Sequence, residues 1–166
     1  MTVKRTTTLL WLLAGGLFLA LAGVAAYKVW PVLHPELVAE APLDPDCDLR
    51  AGPCTDTLPG GGRIRFGIEP RDIPVIQPLR FQVQVDGIDA REVEVDLQGV
   101  DMNMGYNRPR LSAAGNGRFE GEAVIPVCVR DAMEWEARVL VHTGDGVVAA
   151  PFRFITVKPG VSLGKQ

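Results

Sequence analysis

LRFQVQV at residues 79–85 decides the fold. Leu79, Phe81, Val83 and Val85 alternate with Arg80, Gln82 and Gln84, so an extended chain puts all four apolar side chains on one face. REVEVDL at 91–97 repeats the pattern with Val93, Val95 and Leu97 inward. RFEGEAVIPVCV at 118–129 does so with Phe119, Ala123, Ile125, Val127 and Val129. RIRFGI (63–68), WEARVLV (135–141) and PFRFITV (151–157) complete the set, with turn signals at Asp86-Gly87 and in HTGDG after Val141. Period-two alternation with one polar face is the antiparallel signature. Six or seven such strands in about 100 residues predict an all-β fold, an immunoglobulin-like antiparallel β-sandwich over residues 62–158, with a short tail at 159–166.

Outward from this block, residues 31–61 read as a connector. Pro31, Pro35, Pro42, Pro45, Pro53 and Pro59 exclude a long helix, and Gly60-Gly61-Gly62 ends the stretch. Before it, Thr8 to Tyr27 carries no charge and is mostly Leu, Ala, Gly, Val and Phe. Twenty residues at a rise of 1.5 Å span about 30 Å, the depth of a bilayer core. Trp11, Tyr27 and Trp30 sit at the ends of the run, where amphipathic rings prefer the interface. Lys4 and Arg5 precede it, while Glu36, Glu40, Asp44, Asp46 and Asp48 follow. The expectation is a cytoplasmic tip and one N-terminal transmembrane helix over 1–30, N-terminus inside, with the domain exported. A signal peptide cleaved near Ala25 and Ala26 is the competing reading, and it exports the domain as well.

The chain has 166 residues and a net charge of −3, enough for one domain and an anchor. Its negative charge and the lack of basic patches with interleaved aromatics argue against nucleic acid. Its two histidines, His34 and His142, lie far apart, and no nucleophile elbow, phosphate loop or zinc spacing occurs. The expectation is therefore no enzyme and no catalytic residue. Cys47 and Cys54 bracket the turn-rich CDLRAGPC, which suits a disulfide in an oxidising compartment. Cys128 is left over.

One concentration of unusual chemistry remains. Met102, Met104, Cys128, Met133 and Trp135 all fall in GVDMNMGYNRPRL (99–111) and IPVCVRDAMEW (125–135). Met102 and Met104, two apart, share a side if extended, and the turn after Cys128 leads to Met133. Convergence of these sulfurs would make a soft site favouring Cu(I), with Trp135 covering the ion through a cation–π contact. Methionine also fills core gaps, and Trp135 also suits a central core aromatic. By parity with Val93, Val95 and Leu97, Met102 and Met104 face away from the core unless a bulge at Gly99 reverses them. Metal site, core packing and protein-contact surface all stay open. Gly105, Asn107 and Pro109 mark a structured loop, in which Tyr106, Asn107 and Arg108 are candidate interaction residues; Arg108 and Arg110 suit a carboxylate.

Gly-Val-x-Met-x-Met-Gly-Tyr-Asn-Arg, Gly-Arg-Phe-x-Gly, Ile-Pro-Val-Cys and Met-x-Trp-x-Ala, behind a membrane anchor, resemble the FixH/YtkA-like periplasmic proteins over about residues 60–157. The motif positions are Met102 and Met104; Gly117, Phe119 and Gly121; and Met133 with Trp135. The resemblance implies copper handling and cytochrome oxidase assembly beside a respiratory oxidase or a Sco-type copper chaperone. It also implies the periplasmic side of a bacterial inner membrane. The chain departs from many relatives in lacking a histidine in the Met-rich loop and in carrying Cys128. A non-metal module assisting membrane-complex assembly is the alternative function.

The topology is directly testable. A reporter fused after Gln166 should be active only outside the cytoplasm, and the protein should resist extraction from membranes by carbonate; a shortened soluble form would mean a cleaved signal.

Overall fold

The computed structural model describes residues 2–33, 37–127, 130–158 and 160. Helix α1 covers Thr2–Leu33. Within it Leu10–Trp30 has a mean hydropathy of 2.0 and is unburied, long and apolar enough to cross a membrane. The chain divides into two compact units, Met1–Glu36 and Leu37–Gln166.

The second unit is all β. Nine strands occur among the described residues: β1 (Leu37–Glu40), β2 (Cys54–Thr57), β3 (Arg63–Glu69), β4 (Pro78–Asp86), β5 (Glu92–Gly99), β6 (Arg110–Gly115), β7 (Arg118–Val124), β8 (Ala132–His142) and β9 (Val147–Val157). They form one curled sheet in the order β1-β9-β8-β5-β6-β7-β4-β3-β2. β6 joins the two layers by pairing with β5 on one side and β7 on the other. Every pairing is antiparallel except β1 with β9. Both open edges are four-residue strands, short enough to offer little to a foreign strand.

The alternation places the core as the sequence predicts. Leu79, Phe81, Val83 and Val85 of β4 and Val93, Val95 and Leu97 of β5 are buried. Phe66 stacks edge-on against Phe81 at 5.5 Å within one layer, and meets Phe152 of the other at 5.3 Å. Burying side chains of this size contributes about 1.5–3 kcal/mol each.

Three strands depart from the expected set. β6 was not expected: RLSAAG is small and polar with no alternation, and only Leu111 is buried. The signal that marks it is Asn116-Gly117, both at positive φ, which closes a two-residue hairpin onto β7. β1 and β2 fall inside the stretch read as a connector. That boundary is corrected, since Ala41, Leu49 and Leu58 join the core and Ala41 N–H donates to Ala149 O at 2.9 Å. Pro31 does not end α1, which runs on to Leu33; the later prolines exclude helix but not short edge strands, which need few ladder bonds. At the C-terminal side, β7 stops at Val124 rather than continuing to 129. Most of the tail at 159–166 and His34 lie outside the described residues.

Cys47 and Cys54 are disulfide-bonded, with Cα atoms 5.7 Å apart. The bond ties the loop after β1 to the start of β2. Two residues on, Asp56 turns its carboxyl into the core face and is buried. Burial pushes its pKa up to about 6, and the Asp44 carboxylate adds to the rise. A folded pKa above the unfolded one means that the folded state holds the proton longer. Stability from this group is full below about pH 4 and is lost as pH rises through about 6, a difference of roughly 2–3 kcal/mol. Asp56→Asn should remove that slope: urea unfolding of variant and wild type should diverge in favour of the variant from pH 4 to pH 7.

Candidate functional site: the thioether end of the sandwich

The β5–β8 ladder sets the geometry. It runs from Glu92 opposite His142 to Gly99 opposite Trp135, and Val100 N–H then donates to Glu134 O at 3.1 Å. Beyond Gly99 the chain leaves the sheet as a loop and returns alongside β5. Asn107 O accepts from Leu97 N–H at 2.9 Å, and Pro109 O from Val95 N–H at 3.0 Å. Met102 and Met104 thus ride on the tip of a β5–β6 hairpin, not on a strand. Asn103 Oδ1 accepts from Gly105 N–H at 2.8 Å, and Gly105 takes a φ of 81°, which shapes the tip.

The two methionines are neither outward nor fully buried. Both are half-buried and pack against the core, so parity along β5 does not carry through the loop. Met133, at the start of β8, is buried. A side chain built at Gly99 would meet the Met133 methyl and the Met102 carbonyl oxygen, with Met104 Cγ at 3.3 Å. The missing Gly99 side chain is therefore the space that Met133 and Met104 share. No bulge is needed to bring them together. The loop does it by folding back over the end of β5.

Trp135 is the largest fully buried side chain, and its indole N–H donates to Thr156 Oγ1 at 2.9 Å. It lies across from Gly99 in the ladder and two residues after Met133 on the same face of β8, where it serves as a core aromatic. Cys128 lies outside the described residues. Val127 before it is exposed, and Val127, Arg130, Met133 and Thr156 line a cavity of about 10 Å³.

The interaction residues expected in the loop separate into three roles. Tyr106 is 60% exposed. Asn107 is half-buried, and its Nδ2 donates to Val124 O at 3.3 Å, tying the hairpin to β7. Arg108 turns inward: its guanidinium meets Asp96 Oδ2 at 2.9 Å with both side chains 7% exposed, and it lies 5.4 Å from the Tyr106 ring centre. The carboxylate expected for Arg108 is thus its own chain's Asp96. Gln98 Nε2 donates to the same oxygen at 2.7 Å. Arg110 likewise pairs within the chain, with Glu92 at 2.5 Å and Glu94 at 3.7 Å.

One group escaped the sequence reading. Glu92, Glu94 and His142 present ligand atoms within 4.8 Å of one another. His142 belongs to a strand distant in sequence, so no local spacing announces it.

Gly99 is the point on which the arrangement turns. Gly99→Ala should cost about 1–3 kcal/mol by overpacking, read from urea unfolding. In a Met133→Ala background, which carries its own cavity cost of about 2–5 kcal/mol, the same Gly99→Ala change should cost less, since one of the two atoms in the way is gone.

Among known proteins, no family model matches the chain and no curated protein matches it, which leaves its function to the chemistry of the residues themselves.

Proposed function

We propose that this domain binds Cu(I) on thioethers at one end of the sandwich, and that α1 tethers it in a bacterial inner membrane with the domain in the periplasm. There it would serve assembly of a respiratory copper enzyme. The observation that carries the reading is the convergence of Met104 and Met133 over Gly99, with Met102 beside them on the same hairpin tip. Thioethers are soft donors that select Cu(I) over harder divalent ions. A site with two of its donors on an exposed hairpin tip and the third at the start of a strand would suit an ion that must be passed on. The Cys47–Cys54 disulfide fits an oxidising compartment. The tether raises the effective concentration of the site at membrane acceptors. The resemblance to FixH/YtkA-like proteins supports the same partners, a respiratory oxidase or a Sco-type chaperone.

A second reading, a docking module without metal, draws on the apolar rim of the same end. Tyr106, Val100 and Val127 are exposed there.

The full-length protein in detergent, with ascorbate as reductant, should take up about one equivalent of Cu(I) bound through sulfur, visible by X-ray absorption. Met102→Leu with Met104→Leu should abolish the uptake, and Met133→Leu should weaken it. Leucine nearly conserves volume, so each change should cost less than about 1.5 kcal/mol in stability. Undiminished uptake with both loop methionines gone would leave the docking module as the better account.

A further inference from the structure

The outward face of β5 and β8 carries a different chemistry from the core face. Glu92 and Glu94 are two residues apart on β5 and share that face, and Glu92 pairs across the ladder with His142. His142 Nε2 lies 3.3 Å from Glu94 Oε2, and the three ligand atoms lie within 4.8 Å of one another. All three residues are half-buried. Leu140, the ladder partner of Glu94 on the same face, is buried beside them, so the group stands against an apolar floor rather than in open water.

We propose that Glu92, Glu94 and His142 form a second ion site, for a borderline divalent cation of the zinc(II) type. An imidazole with two carboxylates is a donor set that such ions accept, whereas thioethers suit Cu(I). Donors bound at about 2.0–2.2 Å in a tetrahedral shell stand about 3.4 Å apart. His142 Nε2 and Glu94 Oε2, at 3.3 Å, already have that spacing, and Glu92 has to close by at most about 1.4 Å, within reach of a side-chain torsion. All three donors are on adjacent paired strands, which holds the backbone in place. The site is separate from the thioethers. It lies on the opposite face and at the far end of β5, about 24 Å along the strand.

Arg110 sets its affinity. The guanidinium contacts Glu92 at 2.5 Å and Glu94 at 3.7 Å, yet the side chain is 67% exposed. It is a resident monocation that cannot ligate and that a divalent ion must displace toward solvent. Removing it therefore leaves two carboxylates and an imidazole without their competitor. Losing Arg110 would raise the pull of any carboxylate pair on a cation, so the dependence of zinc binding on His142 as well as Glu94 is what marks an ion shared by all three donors.

Zinc(II) titrated into the full-length protein in detergent, with calcium(II) as the hard control, tests this. One zinc should bind by calorimetry and calcium should not. Arg110→Gln should tighten zinc binding by about tenfold, as a positive charge beside the ion is removed. His142→Asn and Glu94→Gln should each weaken it by about tenfold or more, with unfolding in chelator showing that the fold persists. Met102→Leu with Met104→Leu should leave zinc binding unchanged, so failure of the thioether site and failure of this one are told apart. Absence of zinc binding, binding indifferent to His142 and Glu94, or weaker binding in Arg110→Gln would overturn the proposal.

Discussion

The pairing of Gly99 with Trp135 is the contact on which the thioether end depends. It terminates the β5–β8 ladder with the smallest possible residue opposite the largest. The indole fills the core on its own strand and donates its N–H to Thr156, which satisfies the one polar group that burial would otherwise strand. The absent side chain on the other strand leaves room for Met133 to cross over and for the hairpin tip to fold back. Any side chain at position 99 would have to compete with the Met102 carbonyl and the Met133 methyl for the same volume.

What holds the tip in place is electrostatic. Asp96 points away from the core, yet it is almost as buried as the core residues because Arg108 lies over it. Two charges taken out of water cost several kcal/mol each, and the pair recovers this only with close geometry and extra hydrogen bonds. Gln98 supplies one such bond, and the Tyr106 ring beneath the guanidinium adds a cation–π contact. Such a pair adds little net stability but fixes register, because misplacing the hairpin by one residue would leave an unpaired buried charge. It therefore helps to position the hairpin tip that carries Met102 and Met104.

The outward face of the same layer is a lattice of charge. Arg138 meets Glu40 and Glu136, Arg153 meets Glu134 and Glu136, and Arg110 meets Glu92 and Glu94. Most of these pairs are solvated and contribute little each. The Glu92, Glu94 and His142 group differs in that it adds an imidazole and backs onto buried Leu140. The two faces of one sheet thus offer donors of opposite character, sulfur inside and at the tip, oxygen and nitrogen outside.

The apolar helix, the disulfide and the facing of β3, β4, β5, β8 and β9 were legible in the sequence alone, because each is written within a few residues: an uncharged run, two close cysteines, period-two alternation. β6 was not, since its residues are small and polar and only the Asn116-Gly117 turn marks it; nor was β1, whose parallel partner β9 lies across the whole domain. The methionines could be named from the sequence, but their parity along β5 said outward. The tertiary fold decided otherwise, because a loop that leaves a strand is no longer bound by its alternation and goes where its anchors, Asp96 with Arg108 and Asn107 with Val124, hold it. For the same reason Arg108 changed from a surface cation to a buried clamp. Glu92, Glu94 and His142 were invisible as a group, for a contact made by strand pairing is set by register, and register is settled only when the cores of both layers are packed.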